Sequence, residues 1–320
     1  MSIRGQSVEK SSASIVDPYG RPITSLRLSV TQRCDLACAH CHREGQSPSN
    51  VEMTPDEVER LVRIAASFGV SKVKITGGEP LVREDIVDIV SRVSGLVDEV
   101  SLTTNGSKLA KKAADLKTAG LKRVNVSLHT LNPVVYAYLC GIDRSRLVIQ
   151  GIVSSVEAGL EPVKVNMVVL KGENEEEIPA MIQFCSKVGA VLQLIEYETD
   201  KESSNGCKFA EKYYSLREVE EDLARNAIEK SHNDLHRRGR YRINTDGSAV
   251  TVEVVRPMHN TEFCANCKRI RLSSDGKLKP CLLDPSGSVD LLTPLRNGAS
   301  DEELRSLFAK GVSNRKPYWR

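Results

Sequence analysis

From about residue 24 to residue 199 the chain repeats one pattern, a short β-branched run followed by a longer amphipathic segment. The runs read SLRLSVT, KVKIT, EVSLTT, RVNVSL, VKVNMVVL and VLQLIE. Alternating side chains in these runs predict strands, and the segments between them carry helix signals. Thr54-Pro55 reads as an N-cap followed by proline at the first helical position, and GSKLAKKAADLKTAG and RLVIQGIVSSVEAG both stop at glycine. Repeats of this kind pack as parallel strands with helical crossovers, so the expected fold is α/β, a partial (β/α)6 TIM-like barrel. Active sites of such folds lie at the carboxyl ends of the strands, where this chain carries TQRC, TGGEP, TTNG, SLH and IEYE.

After about residue 200 the character changes to a polar loop, a charged helix in SLREVEEDLARNAIEK and two hairpin signals. RYRINTDGSAVTVEVV and RIRLSSDGKLKPCLL each turn at an Asp-Gly pair, and a last helix is expected near DEELRSLFAKG. The expected organisation is a polar, poorly ordered arm over 1–20, the barrel over 21–199, and a smaller α+β domain over 200–320. A net charge of +3 is too small to suggest nucleic acid as the main partner. No run of 18 apolar residues suggests a membrane span, and MSIRGQSVEKSSAS lacks the apolar centre of a signal peptide. A cytoplasmic location follows as the expectation, and thiols stay reduced there. Nine cysteines then need an explanation other than disulfides, and six of them form two triplets.

TQRCDLACAHC places Cys34, Cys38 and Cys41 at C-x3-C-x2-C directly after the first strand. Structural zinc wants four ligands, and a [4Fe–4S] cluster normally takes four cysteines. Three thiolates leave one iron open, although His40 and His42 would let zinc close its tetrahedron. In TGGEP, Gly77 and Gly78 allow close approach to the backbone, and Glu79 supplies a carboxylate for a cationic amine. The second triplet, Cys264, Cys267 and Cys281, has the spacing C-x2-C-x13-C. An Asp-Gly hairpin can fold Cys281 back beside the other two. A zinc ribbon completed by His259 is the alternative. Inside this triplet lies KRIR, where Arg269 and Arg271 share one strand face; a phosphate clamp or a solvated edge strand would each use such a pattern.

Paired one βα unit apart, C-x3-C-x2-C and TGGEP resemble the radical S-adenosylmethionine (SAM) superfamily. Together LRLSVTQRCDLACAHC, KVKITGGEP, TTNG, VNVSL, VKVN and FCANCKRIRLSSDGKLKPCL resemble, more narrowly, the GTP 3′,8-cyclases of molybdenum cofactor biosynthesis over roughly residues 20–290. This resemblance implies a barrel with a second cluster in the C-terminal part, and SAM completing the first of two [4Fe–4S] clusters. It implies abstraction of the ribose 3′ hydrogen of GTP by a 5′-deoxyadenosyl radical, then attack on C8 to give 3′,8-cyclo-7,8-dihydro-GTP. Cys34, Cys38 and Cys41 match the first cluster's ligands, and Cys264, Cys267 and Cys281 the second's. His40, Gly77, Gly78, Glu79, Ser127 and Glu198 stand at SAM-binding positions. Arg27, Lys74, Thr103, Lys164, Arg269, Ile270 and Arg271 stand at GTP-binding positions. Arg27, Lys74 and Lys164 lie on three separate strands, and a triphosphate needs converging cations.

The resemblance also implies a low-potential electron donor such as flavodoxin or ferredoxin, a downstream cyclic pyranopterin monophosphate synthase, and a homodimer. A peptide or tetrapyrrole substrate is the alternative within the superfamily. Two stretches depart from the family pattern. Where members commonly read RFIELM this chain has QLIEYE, with Gln193 and Glu198, and where many end in Gly-Gly it reads NRKPYWR. Cys140 and Cys185 are expected to be small buried residues, and Cys207 to be exposed.

Overall fold

A computed structural model describes residues 14–233, 236–245 and 248–320. Residues 1–13, most of the expected arm, lie outside the described residues, as do Asp246 and Gly247 of the first Asp-Gly turn. The six runs of the repeat form β1 (Ser25–Ser29), β2 (Lys72–Thr76), β3 (Glu99–Thr104), β4 (Arg123–Ser127), β5 (Val163–Val169) and β6 (Val191–Glu196). Beyond residue 200 come β7 (Glu229–Asn233), β8 (Arg238–Thr245), β9 (Ser248–Val255), β10 (Arg269–Leu272), β11 (Lys277–Lys279) and β12 (Val289–Asp290). They form a single sheet among the described residues, ordered β12-β11-β10-β1-β2-β3-β4-β5-β6-β9-β8-β7.

Every pairing from β10 through β1 to β6 and on to β9 is parallel. The hairpins foreseen after residue 200 are present as β8–β9 and β10–β11. One strand of each continues the parallel sheet, so residues beyond 200 extend the six-stranded repeat at both edges. The cause lies in their alternation. Val252, Val254, Ile270 and Leu272 join the buried layer, while Glu253, Arg269 and Arg271 join the polar inner face.

The same division runs through the whole barrel. Leu26, Leu28, Val73, Ile75, Val124, Val126, Val165, Met167, Leu192 and Leu194 are buried in one apolar core with the helices. Each such side chain contributes about 1.5–3 kcal/mol on burial. The helix Pro55–Ser67 shows the local logic. Thr54 Oγ1 accepts from Glu57 N, Glu57 Oε2 accepts from Thr54 N at 2.8 Å, and Pro55 occupies the first turn. Its Val58, Leu61, Val62 and Ala65 recur at helical spacing and are buried. The alternate strand residues point the other way and enclose a cavity of about 880 Å³.

Candidate active site between two cysteine triplets

Parallel, in-register pairing sets the inner-face side chains side by side. Arg271 lies opposite Arg27, which lies opposite Lys74, which lies opposite Ser101. Thr103 lies opposite Asn125 and Asn125 opposite Lys164; Asn166, Gln193 and Glu253 follow in the same way. The carboxylate of Glu44 joins the first edge, with Arg27 Nη2 at 2.7 Å and Arg271 Nη1 at 2.9 Å. Burial pushes the Glu44 carboxyl upward, yet Arg27 and Arg271 hold it well below the usual carboxylate range. At the opposite edge Glu253 accepts from Lys164 Nζ at 2.5 Å and from Gln193 Nε2 at 2.7 Å.

Cations outnumber these acids. Lys74 donates to Asn125 Oδ1 at 2.8 Å, and burial, with Arg123, Arg27, Arg269 and Lys164 nearby, pushes its ammonium well below the ordinary lysine value. Burial lowers Lys164 to about 8 against the pull of Glu253. Arg269 falls to about 9 through burial and then Arg27 and Arg271, and its buried Nε has no hydrogen-bond partner. Arg238 on β8 lines the same cavity with its Nε likewise unpartnered. Desolvated cations crowding one another are stabilised by an anion. The residues therefore fit a polyphosphate.

The first triplet sits on the loop that follows β1. Gly78 N donates to Thr31 O at 2.7 Å and Glu79 N to Arg33 O at 2.8 Å. A Cβ on Gly77 would stand 2.5 Å from Thr31 O, and one on Gly78 2.3 Å from Arg33 O. The glycine pair thus lets the end of β2 lie directly against the cysteine loop, a packing demand beside its place in the cavity wall. Asp35 in the loop accepts from Asn105 Nδ2 at 2.8 Å and Ser107 Oγ at 3.0 Å. Ala37 N and Ala39 N donate to Cys140 O and Leu139 O. So pinned, Cys34, Cys38 and Cys41 all line the cavity.

Burial pushes the Cys34 thiol up to about 11 and raises Cys41; Cys38 is raised by a hydrogen bond with Cys140 and by burial. The thiols hold their protons until a metal displaces them. His40 has a defined tautomer. Val168 N donates to His129 Nδ1, so the His129 proton is on Nε2, 3.0 Å from His40 Nε2. The His40 proton is then on Nδ1, which is buried without a partner. Burial, and then His42 and Lys212, push His40 down to about 4, so the ring is neutral. An orphaned donor between two cluster cysteines fits an acceptor brought by a cofactor.

Cys264 lies in the short helix Thr261–Ala265, capped by Asn260 Oδ1; Cys267 follows it, and Cys281 follows β11. These three line a smaller cavity of about 60 Å³. It shares Glu198, His236, Arg269, Arg271 and Leu282 with the large one, so the two cavities adjoin across a common wall. Arginines support the second triplet from behind. Arg21 Nη1 donates to Cys264 O at 2.9 Å and Arg315 Nη2 to Cys267 O at 2.8 Å. Both arginines pair with the buried Asp17. Among the described residues neither triplet is a preassembled single-ion site.

Most residues singled out in the sequence meet here. Arg27, Lys74, Thr103, Lys164, Arg269, Arg271, His40, Gly77, Gly78, Ser127 and Glu198 all line the large cavity. Two do not. Glu79 is 1 % exposed, and its carboxylate accepts from Leu81 N, Thr104 Oγ1 and Asn105 N. These bonds brace the ends of β2 and β3 and leave Oε2 with acceptor capacity beyond Asn105 N; burial raises the carboxyl to about 7. Ile270 is fully buried in the apolar core, because alternation on β10 turns it away from Arg269 and Arg271. Cys140 and Cys185 are buried and Cys207 is exposed, as expected. Sequence reasoning passed over Glu44, Asn125, Asn166, Glu253, Arg238 and His129. The polar alternates in RVNVS, VKVNM and SAVTVEV were the available signal for Asn125, Asn166 and Glu253.

Comparison with known proteins agrees with this geometry. The Radical SAM superfamily profile matches residues 28–185, and the Molybdenum Cofactor Synthesis C profile matches residues 190–320. A probable GTP 3′,8-cyclase of Thermococcus kodakarensis is 50% identical over 96% of this chain and 100% of its own length. A protein of the same name from Pyrococcus abyssi is 49% identical over 95% and 99%. One from Methanosarcina acetivorans is 47% identical over 97% and 92%. Among solved structures, Streptococcus suis SuiB bound to precursor peptide SuiA superposes with a TM-score of 0.64 at 18% identity, covering 94% of this chain and 67% of that one. That likeness speaks for the fold alone. With about half its residues shared over nearly its whole length, the chain belongs to the GTP 3′,8-cyclase family of the radical SAM superfamily.

Proposed function

We propose that this chain converts GTP to (8S)-3′,8-cyclo-7,8-dihydro-GTP, the first step of molybdenum cofactor biosynthesis. The observation that carries the reading is two adjoining cavities, each lined by a cysteine triplet, with a surplus of half-buried to buried cations on their walls. Cys34, Cys38 and Cys41 would hold one [4Fe–4S] cluster, and Cys264, Cys267 and Cys281 a second. SAM and the clusters, when bound, supply the one-electron chemistry. The chain's own residues bind and orient. His40 Nδ1–H and the Gly77-Gly78 backbone face SAM beside the first triplet, with Ser127 and Glu198 further along the wall. Arg27, Lys74, Lys164, Arg269 and Arg271 take the triphosphate, Thr103 adds a hydroxyl, and Ile270 acts only by holding its two arginine neighbours in place. Fixing both molecules across one enclosed space sets the ribose against the cofactor and excludes water.

The number of cations on one wall suits a triphosphate better than a neutral or basic peptide. A flavodoxin or ferredoxin as electron donor, a cyclic pyranopterin monophosphate synthase as consumer of the product, a homodimer and a cytoplasmic setting belong to the same reading. No described helix is long and apolar enough to cross a membrane. The test is anaerobic incubation with SAM, dithionite and GTP deuterated at the ribose 3′ carbon. Deuterium should appear in 5′-deoxyadenosine as GTP is consumed. Unlabelled 5′-deoxyadenosine accumulating over intact GTP would refute the assignment.

A further inference from the structure

The segment Lys316–Arg320, which stands where the family pattern has something else, is folded back over the second triplet. Trp319, the chain's single tryptophan, is 9 % exposed. Its backbone N–H donates to Cys264 Sγ at 3.4 Å. The indole packs on His259 with ring centroids 4.3 Å apart and on Tyr318 at 5.1 Å. Tyr318 Oη accepts from Lys201 N at 2.7 Å, and Lys201 Nζ sits 5.0 Å above the Tyr318 ring and 5.3 Å above that of Trp319. Arg315, Lys316, Tyr318 and Trp319 all line the small cavity with the three cysteines.

Anchoring alone does not explain the choice of side chain. Trp319 Nε1 is buried with no hydrogen-bond partner among the described residues. An unsatisfied buried donor is destabilising, a cost that phenylalanine or leucine would avoid. The cost is relieved if the neighbouring cavity, once filled, brings an acceptor.

We propose that Tyr318 and Trp319 form a cover for the cluster held by Cys264, Cys267 and Cys281, with Trp319 donating its main-chain N–H to a ligand sulfur and shutting out solvent. This rests on the two-cluster reading above. Hydrogen bonds to the sulfurs and exclusion of water govern how firmly such a cluster is held and at what potential it works. Trp319 is a positioning residue here and takes no part in the reaction.

The test follows anaerobic iron release to a ferrous chelator from reconstituted wild type, Trp319→Ala and Trp319→Phe, with Cys38→Ala to mark the phase of the second cluster. Wild type should carry about eight irons per chain. In Trp319→Ala about half the iron should leave roughly tenfold faster or more, while the rest leaves at the wild-type rate. Trp319→Phe keeps an aromatic ring over the site, which Trp319→Ala removes while both retain the main-chain N–H, and it should restore most of the protection. Unchanged rates in Trp319→Ala would overturn the cover. So would equal acceleration of both halves, which reports general loosening of the fold. A wild-type chain saturating at four irons would instead refute the two-cluster reading itself.

Discussion

The two cysteine triplets are built in opposite ways. The first lies on an open loop at the carboxyl ends of the strands, with Cys34 and Cys41 exposed. Side chains of neighbouring loops grip it through Asp35 and through the close contact at Gly77-Gly78. The second is half-buried, braced behind by Asp17, Arg21 and Arg315 and covered in front by Tyr318 and Trp319. One triplet is presented to the cavity as a docking point. The other is half-buried, with Arg269 and Arg271 on the wall it shares with the large cavity. The contrast suits a cofactor that comes and goes each turnover at one side, and a substrate steered by charge to a sheltered metal at the other.

Disabling each triplet in turn should break the symmetry most sharply. Cys38→Ala is expected to abolish SAM cleavage altogether. Cys281→Ala should leave uncoupled cleavage running while GTP conversion stops. Liquid chromatography of 5′-deoxyadenosine and of the cyclised nucleotide separates the two, and identical behaviour of both variants would erase the division of labour.

Next in size is the brace. Asp17 and Arg315 are almost completely buried with their charges paired at 2.6 Å. Asp17→Ala leaves two buried guanidinium groups without their acid, and the expected loss is about 3–5 kcal/mol of stability. Thermal unfolding of the apoprotein measures it, and iron content should fall more at the second triplet than at the first. A change under 1 kcal/mol would show that the arginines are solvated or paired elsewhere.

Smaller still is the effect at the clamp. Arg269→Ala should weaken GTP binding by about 1.5–3 kcal/mol, the range for a charge-assisted hydrogen bond, with little change in SAM affinity. Equal weakening of both ligands would mean that Arg269 supports the wall and not the nucleotide.

The subtlest expectation concerns protons. Lys164 titrates at about 8 in the free chain, and burial together with neighbouring cations depresses Lys74 as well. A bound triphosphate favours the ammonium forms and raises both values. Binding therefore takes up protons between about pH 8 and the ordinary lysine range, and affinity falls as pH rises through that window. Calorimetry at pH 8.5 in two buffers of different ionisation enthalpy reads the uptake directly. Proton release, or none, would contradict the crowding of cations.

Much of this was legible in the sequence. The β/α repeat fixed the barrel's strands, because period and punctuation are local properties. The triplets declared themselves through spacing. What stayed hidden depends on pairing between distant strands. Glu44 matters because β1 and β10 run side by side and bring Arg27 and Arg271 to its two oxygens, which neither flank of Glu44 reveals. Glu253 is likewise defined by the junction of β6 with β9. The motif TGGEP shows that Glu79 is present but not that its carboxylate turns toward Leu81, Thr104 and Asn105. Alternation on β10 sets Ile270 on the face opposite Arg269 and Arg271.

The most direct test of two open clusters in adjoining cavities is isotope-resolved electron paramagnetic resonance of the reduced protein. SAM labelled with nitrogen-15 in its amino group and GTP labelled in the guanine should each show hyperfine coupling to a different cluster, the first lost in Cys38→Ala and the second in Cys281→Ala. Absence of coupling from both labels, with both clusters intact, would mean that side chains already close the two coordination spheres.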